Sequence, residues 1–370
     1  MKSFFDQRYY RVNKLFMSGM GIWPEQSLLM RCVLPAVHML TLVSIFIPEV
    51  VDENGGSMVP LFIILMVTAK LLNGCFNMRT ILGRIEGHWV QMEKSPNIEI
   101  LSKHGNRSHL ITLAFGIYIY ACTALFLVLP VLPIFLDIFM PLNESRPRDF
   151  LFQTEYHVDH EKYFFEILFH AYVTSLVAMS IIVAVDSMFF TIVEHACGLF
   201  EMVRTNIKNV NLSIDRSDND DYKKICCCVD LHKEALRFAE LIESNYSTAF
   251  TLVIGMSLLA LSVSGVQVVL NMDSSKDVIR YGMFVIGQVV HMLFNSIPGQ
   301  KIFDYSLSIP DSVNWTDFGI KTKRLLMVML IRSQKPCLLT AGKIYILSLA
   351  SFSSVMQTAC SYFTVLTSML

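Results

Sequence analysis

Long apolar stretches alternate with shorter charged segments along the whole chain. A helix needs about 20 apolar residues to cross the hydrocarbon core of a membrane, and seven stretches reach that length. They cover approximately residues 28–48, 58–80, 109–136, 163–190, 246–270, 278–297 and 339–368. The pattern predicts an all-α, polytopic membrane protein with seven transmembrane helices, in which residues 1–370 form a single membrane domain.

The composition agrees with this prediction. Of the 370 residues, 53% are hydrophobic and 16% are charged, and the mean hydropathy is +0.49. Soluble domains carry about 25% charged residues. The formal net charge of −1 gives no basic surface for nucleic acid, so we expect no nucleic-acid partner. The sequence also contains no phosphate-binding loop, metal motif or partnered nucleophile, and we expect neither a cofactor nor enzymatic activity.

Basic residues are concentrated in alternate segments between the predicted spans. Segments 1–27, 83–108, 191–245 and 298–338 contain 21 Lys and Arg residues, whereas the intervening segments contain four. Because basic segments remain in the cytoplasm, this distribution predicts a cytoplasmic N-terminus and an extracellular C-terminus. The sequon at Asn143 then lies outside the cell and is a predicted glycosylation site.

Two other classes of membrane protein are alternatives. A G-protein-coupled receptor, or another orphan seven-helix receptor, would share the helix count, but the charge distribution predicts the opposite orientation. A secondary transporter would show inverted repeats and broken helices near the midplane, and the two halves of this chain show no convincing repeat. The transporter is therefore the stronger of the two alternatives.

Ionisable residues also occur inside the predicted spans. Lys70 lies in the second span and Asp186 in the fourth. Polar residues at such depth face the interior of a helix bundle. His170 lies on the same predicted helix as Asp186, and we interpret these two residues as a hydrogen-bonded interior pair in preference to a proton relay.

The last predicted span contains no charge between Ile344 and Leu370. Its hydroxyl side chains recur at intervals of three, four, three and seven residues and therefore share one helix face; they are Ser351, Ser354, Thr358, Ser361 and Ser368. Val365 lies on the same face. Such a stripe suits a water-filled pore with an apolar gate, but it equally suits close packing of two helices. The residues themselves leave both interpretations open.

Several short motifs follow one another in a characteristic order along the chain. They begin with NKLFMSGMGIWP at residues 13–24, VDHEKYFFEILFH at 158–170 and LHKEALRFAELIESNYS at 231–247. The most specific stretch is Pro336–Leu370, which contains LTAGKIYILSL and SYFTVL. In order and spacing, these motifs together resemble those of insect odorant receptors.

This resemblance implies a ligand-gated, non-selective cation channel, assembled as a tetramer with a shared odorant co-receptor subunit. The long cytoplasmic insert of the co-receptor is missing, so the chain resembles an odour-binding tuning subunit. Residues 191–245 and 298–338 would contribute to a cytoplasmic anchor region, and residues 339–370 would form the pore-lining last helix. The pore and gate positions would be Ser361, Val365, Ser368 and Met369.

The family also implies a ligand and a location. The expected ligand is a small volatile odorant, bound in the outer half of the helix bundle, and the other partner is membrane lipid. The expected location is the plasma membrane of a sensory neuron dendrite. Aromatic, aliphatic and hydroxyl side chains suit such a ligand, and the candidates are Phe62, Met66, Tyr120, Thr123, Leu127, Phe169, Val173, Thr174, Tyr281 and Phe284.

Overall fold

The structure is a computed structural model that describes residues 4–50, 59–75, 78–140, 146, 150–152, 156, 158–159, 161–212, 218–313 and 318–369. Eleven α-helices are present in these residues: α1 Arg11–Gly19, α2 Leu28–Val50, α3 Val59–Cys75, α4 Met78–Met92, α5 Ile98–Val128, α6 Leu132–Phe139, α7 Phe164–Leu212, α8 Asp218–Leu270, α9 Ser275–Leu307, α10 Ile320–Ser333 and α11 Leu349–Met369. Two short strands, β1 Thr340–Ala341 and β2 Tyr345–Ile346, form an antiparallel hairpin.

The predicted all-α membrane fold is confirmed. Each of the seven predicted spans falls on a helix, namely α2, α3, α5, α7, α8, α9 and α11. By length and composition, α5, α7, α8 and α9 are each able to cross a membrane. α3 and α4 form a bent pair, with an angle of 55°, that provides a fifth candidate. The direction in which the bundle is inserted stays a prediction.

Helix α7 forms the centre of the bundle. Every residue from 181 to 200 is buried, and a helix that is apolar on all sides is typical of such a position. At about 1.5 Å per residue, the 49 residues of α7 and the 53 residues of α8 are far longer than the hydrocarbon core of about 30 Å. Both helices therefore project from the membrane.

Three predicted span boundaries differ from the structure. The second predicted span ends earlier, because α3 ends at Cys75 and α4 begins at Met78. The third is interrupted after Val128, where Pro130 and Pro133 end α5 and begin α6. The last begins later, because the hairpin precedes α11; Gly342 and Lys343, both with φ of 60°, reverse the chain between β1 and β2.

The four basic segments meet at one end of the bundle, as expected for segments on the same side of a membrane. Trp89 donates a hydrogen bond to Tyr10 at 2.9 Å, which joins the N-terminal segment to α4. Arg84 contacts Glu234 of α8 at 2.6 Å. Lys301 of α9 forms an ion pair with Glu194 of α7. We call this end of the molecule the basic end.

The predicted pairing of Asp186 with His170 is wrong. Both residues lie on α7, but they are separated by 16 positions, or about 24 Å along a helix. His170 instead contacts Ser44 at 2.8 Å and Tyr156 at 2.9 Å. Asp186 forms an ion pair with Lys70 of α3 and accepts a hydrogen bond from His291 of α9.

Candidate ligand cavity

An apolar cavity of about 250 Å³ lies inside the half of the bundle that faces away from the basic end. Its walls come from α3, α5, α7 and α9, with Leu42 of α2 and Phe152 of the segment that precedes α7. The lining is mainly aromatic and aliphatic, with a few polar side chains. A concave, largely apolar site with few polar groups is typical of binding sites for small molecules.

Helix α5 contributes the longest wall of the cavity. Phe115, Ile119, Thr123 and Phe126 follow one another at intervals of three or four residues and lie on one face of the helix. The ring of Phe126 makes an edge contact with Phe284 of α9, with 5.3 Å between centroids. This arrangement gives a rigid aromatic surface across the cavity.

The polar groups of the cavity lie on α5, α7 and α9. On α5 and α7, hydroxyl groups donate to the preceding turn of their own helix: Thr123 to Ile119 O at 2.8 Å, Thr174 to His170 O at 3.0 Å and Ser175 to Ala171 O at 2.8 Å. On α9, Gln288 and His291 are one turn apart and face the cavity.

A buried charged cluster lies at the inner end of the cavity. The side chains of Lys70 and Asp186 are 3% and 2% exposed and form an ion pair. His291 Nε2 lies 3.1 Å from Asp186 Oδ2 and 3.0 Å from Asn295 Nδ2. Because buried charges are stable only when they are paired, this cluster joins α3, α7 and α9 below the ligand cavity.

Four of the ten predicted ligand contacts line the cavity, and six do not. Met66, Thr123, Thr174 and Phe284 are in the lining. The other six have different surroundings: Tyr120 bonds to Ser180 at 2.9 Å, Leu127 O accepts from Tyr172, Phe62 is half-buried, Tyr281 is buried outside the cavity, and Phe169 and Val173 are 69% and 36% exposed. Ligand contact itself stays a prediction for all ten residues.

The lining also contains residues that sequence reasoning missed, notably Phe115, Ala178, Gln288 and His291. On α5, Tyr120 and Leu127 are each one position away from the lining residues Ile119 and Phe126. One residue turns a helix by about 100°, which moves a side chain to another face. The alternation of exposed and apolar positions on α5 is too weak to fix this register.

Helix α11 carries the predicted pore and gate positions. Ser361, Val365 and Ser368 are exposed on the isolated chain, and Val365 is 55% exposed. Ser361 Oγ bonds to Gln357 O at 2.9 Å and Ser368 Oγ to Val365 O at 2.7 Å. The side chain of Met369 and the predicted glycosylation site Asn143 lie outside the described residues.

A second polar network lies at the basic end, beyond the membrane-spanning parts of the helices. His104 bridges Glu194 at 2.8 Å and Glu201 at 2.9 Å. Burial would raise the pKa of Glu194, but hydrogen bonds from His104 and Lys301 lower the pKa overall. Glu194 is therefore ionised and held by donors from α5 and α9. Burial also lowers the pKa of His88, which stacks on His195.

The membrane-spanning bundle and the apolar cavity inside it define a polytopic helical membrane protein with a site for a small, mostly apolar molecule. The sequence model of the 7tm Odorant receptor family matches residues 51–360. The chain belongs to this family, which confirms the resemblance seen in the sequence and gives no support to the transporter alternative.

Relatives and solved structures agree with this assignment. Odorant receptor 9a of Drosophila melanogaster is 25% identical over 194 residues, which are 52% of this chain and 48% of that protein. Odorant receptor 82a of the same species is 26% identical over 208 residues, or 55% and 53% of the two chains. The aligned part of this chain thus spans about half the length of these relatives. They are receptors, in agreement with the prediction of no enzymatic activity.

A co-receptor and a solved receptor are also similar to this chain. An odorant receptor coreceptor of Aedes aegypti is 27% identical over 146 residues, which are 37% of this chain and 30% of that protein. The structure of the insect olfactory receptor OR5 from Machilis hrabei in complex with eugenol has a TM-score of 0.74, covers 98% of both chains and is 14% identical. At this identity the likeness shows the fold.

Proposed function

We propose that this chain is the odour-binding subunit of a ligand-gated, non-selective cation channel. The observation that carries the proposal is the apolar cavity between α3, α5, α7 and α9, in a chain of the odorant receptor family. Its volume of about 250 Å³ suits a small volatile molecule. The similar receptor from Machilis hrabei is described in complex with eugenol, a molecule of this kind.

The proposed partner is an odorant co-receptor, in a hetero-oligomer that is probably best tested as a tetramer. Co-receptors are among the relatives of this chain. Residues 191–245 and 298–338, at the basic end, are the proposed anchor between subunits, and their buried network would hold α5, α7 and α9 as one unit. The proposed location is the plasma membrane of a sensory neuron dendrite.

Ligand binding is proposed to reach the pore through His291. This side chain lines the ligand cavity and also a second, much smaller cavity, which Tyr345 and Leu347 border from the other side. Tyr345 and Leu347 directly precede α11. Gly299 of α9 packs so closely on Leu347 that no side chain fits between them. A shift of α9 would therefore move the start of α11.

The proposed pore is lined by the hydroxyl face of α11. Ser361, Val365 and Ser368 point away from the rest of this chain, as expected of residues that meet other subunits around a central axis. Val365 is the apolar position of this face and is the proposed gate. An apolar ring closes a narrow pore by excluding water.

We expect Val365→Ala to raise the basal current of the assembled channel by roughly tenfold. Two carbon groups would be lost from the closed gate, at about 0.8 kcal/mol each, and about 1.4 kcal/mol corresponds to a factor of ten. The measurement is whole-cell current without odorant, normalised to surface expression. Val355→Ala, on the same helix but packed against the core, is the control and should behave as wild type. Unchanged basal and odour-evoked currents in Val365→Ala would contradict a gate at this position.

Co-expression tests the proposed function as a whole. Cells that express this chain together with an insect odorant co-receptor should show an odour-evoked cation current, and cells that express either chain alone should not show the same response. A broad odour panel is needed, because the ligand is not identified. Surface expression of both subunits without any current would contradict the proposal.

A further inference from the structure

We propose that the cavity selects ligands that carry a hydroxyl group, which donates a hydrogen bond to Gln288 and His291 on α9. The ligands are then alcohols or phenols, in preference to esters, ethers, ketones and hydrocarbons of the same size. The inference rests on the proposed function only in taking this cavity as the ligand site.

Two buried acceptors face the cavity without a donor. Gln288 is 6% exposed and His291 is 7% exposed, and both line the cavity. Gln288 Oε1 and His291 Nδ1 receive no hydrogen bond from any part of the chain that the structure describes. A buried polar atom that stays unpaired is destabilising, so these two atoms mark where a polar group of the ligand belongs.

The surroundings of His291 determine the role of its free nitrogen. Its Nε2 lies 3.1 Å from Asp186 Oδ2, and a carboxylate only accepts hydrogen bonds. The ring proton is therefore on Nε2. Because Lys70 already balances the charge of Asp186, a second positive charge would be unpaired, and the ring is neutral. A neutral ring with its proton on Nε2 presents Nδ1 as an acceptor.

The other polar groups around the cavity have no proton to offer a ligand. The hydroxyl protons of Thr123, Thr174 and Ser175 are directed to backbone carbonyls. Tyr118 and Cys122 are hydrogen-bonded to each other. The cavity thus presents mainly acceptors, with the Gln288 amide as the exception, because its NH2 group can also donate.

A hydroxyl group fits this arrangement better than the other oxygen groups of volatile compounds. It can donate its proton to His291 Nδ1 or Gln288 Oε1, and its oxygen can accept from the Gln288 amide. In the empty cavity, water can serve the same atoms. An ether, ester or ketone that displaces this water brings no donor, so the two acceptors are left unpaired.

Ligand binding to the purified full-length receptor tests the inference without any need for channel activity. Binding to the folded state raises the melting temperature in proportion to affinity and concentration. The probes are 2-phenylethanol, its methyl ether and n-propylbenzene, and a second series of 1-hexanol, its methyl ether and n-heptane. In at least one series we expect the alcohol to bind about tenfold more tightly than its ether and hydrocarbon, since one hydrogen bond accounts for about that factor.

Variants at Gln288 assign the preference to this position. In Gln288→Leu, the preference for the alcohol over its ether should fall to about threefold or less, while ether binding is retained; Gln288→Met provides a second apolar variant of similar length. Gln267→Leu is the matched control, because Gln267 lies on α8 and does not line the cavity. Its preference should stay at the wild-type value.

The outcomes separate this inference from the proposed function. Binding of neither alcohol, equal binding of alcohol and ether in both series, or an unchanged preference in both Gln288 variants would overturn the inference. A receptor that prefers alcohols in the binding assay but gives no odour-evoked current would support the inference and contradict the proposed function. A receptor that conducts in response to odours but prefers ethers would do the reverse.

Discussion

Replacing Lys70 by methionine is expected to remove most of the receptor from the cell surface. Lys70 and Asp186 are almost completely buried, and loss of one member leaves the other as an uncompensated charge inside the bundle. Breaking a buried pair in this way typically destabilises a protein by about 3–5 kcal/mol. This is a large part of the total stability of a typical folded protein, which is about 5–15 kcal/mol. Asp186→Leu should have an effect of the same size.

The double variant Lys70→Met/Asp186→Leu separates the loss of a pair from the loss of two useful side chains. Replacing a buried ion pair by apolar residues of similar volume is often close to neutral. We therefore expect the double variant to recover much of the surface expression and melting temperature that each single variant loses. Surface biotinylation and thermal unfolding in detergent measure both effects. If the losses of the single variants simply add in the double variant, the two residues are not coupled as the structure indicates.

The position of this charged cluster shows what the sequence can and cannot predict about the interior. Hydropathy identifies Lys70 and Asp186 as interior residues, because a charge in the hydrocarbon must be shielded. It does not identify their partners, since the contact joins α3 and α7 across 116 positions of sequence. Helix geometry alone could have excluded His170 as the partner of Asp186, because the two lie far apart on one helix.

The cavity was predictable in its composition and its position, but less so in its residues. Apolar stretches and basic segments locate the helices and the basic end, and therefore the half of the bundle that is left for a ligand. Within that half, the choice between Tyr120 and Ile119, or between Leu127 and Phe126, depends on helix rotation. Rotation is set by packing between helices, and periodicity in a chain that is apolar on several faces gives little information on it.

The hairpin before α11 was not predicted, because its strands are only two residues long and the surrounding residues are apolar. The run from residue 339 therefore read as one continuous span. Its two left-handed positions at Gly342 and Lys343 include one that is not glycine, so the local turn signal is weak. The hairpin matters for the proposed mechanism, since it connects the contact with α9 to α11.

Filling the cavity is expected to abolish the odour response while the channel still assembles. Ala178 of α7 is 6% exposed and lines the cavity, so the ring of Ala178→Phe would occupy ligand space. If the ligand loses about 100 Å² of apolar contact, at about 25 cal/mol per Å², its binding weakens by about 2.5 kcal/mol, or close to 100-fold. Ala124→Phe is the control, because Ala124 is exposed on α5 and is not in the lining.

The combination Ala178→Phe/Val365→Ala shows whether the filled subunit still forms a pore. Basal current through the widened gate reports assembly with the co-receptor, independently of any ligand. We expect this current to match that of Val365→Ala alone, because Ala178 and Val365 lie on different helices and make no contact on which the proposal depends. A lost basal current would mean that Ala178→Phe prevents folding or assembly, and Ala178→Leu would then take its place.

The dose–response relation of Ala178→Phe, co-expressed with the co-receptor, is the most direct test of the claim that odorants act through this cavity. For any odorant that activates the wild-type channel, the account predicts a potency lower by about 100-fold or a complete loss of response, with surface expression retained and Ala124→Phe unaffected. Wild-type potency in Ala178→Phe, at equal surface expression, would mean that the odorant binds elsewhere and would contradict the account.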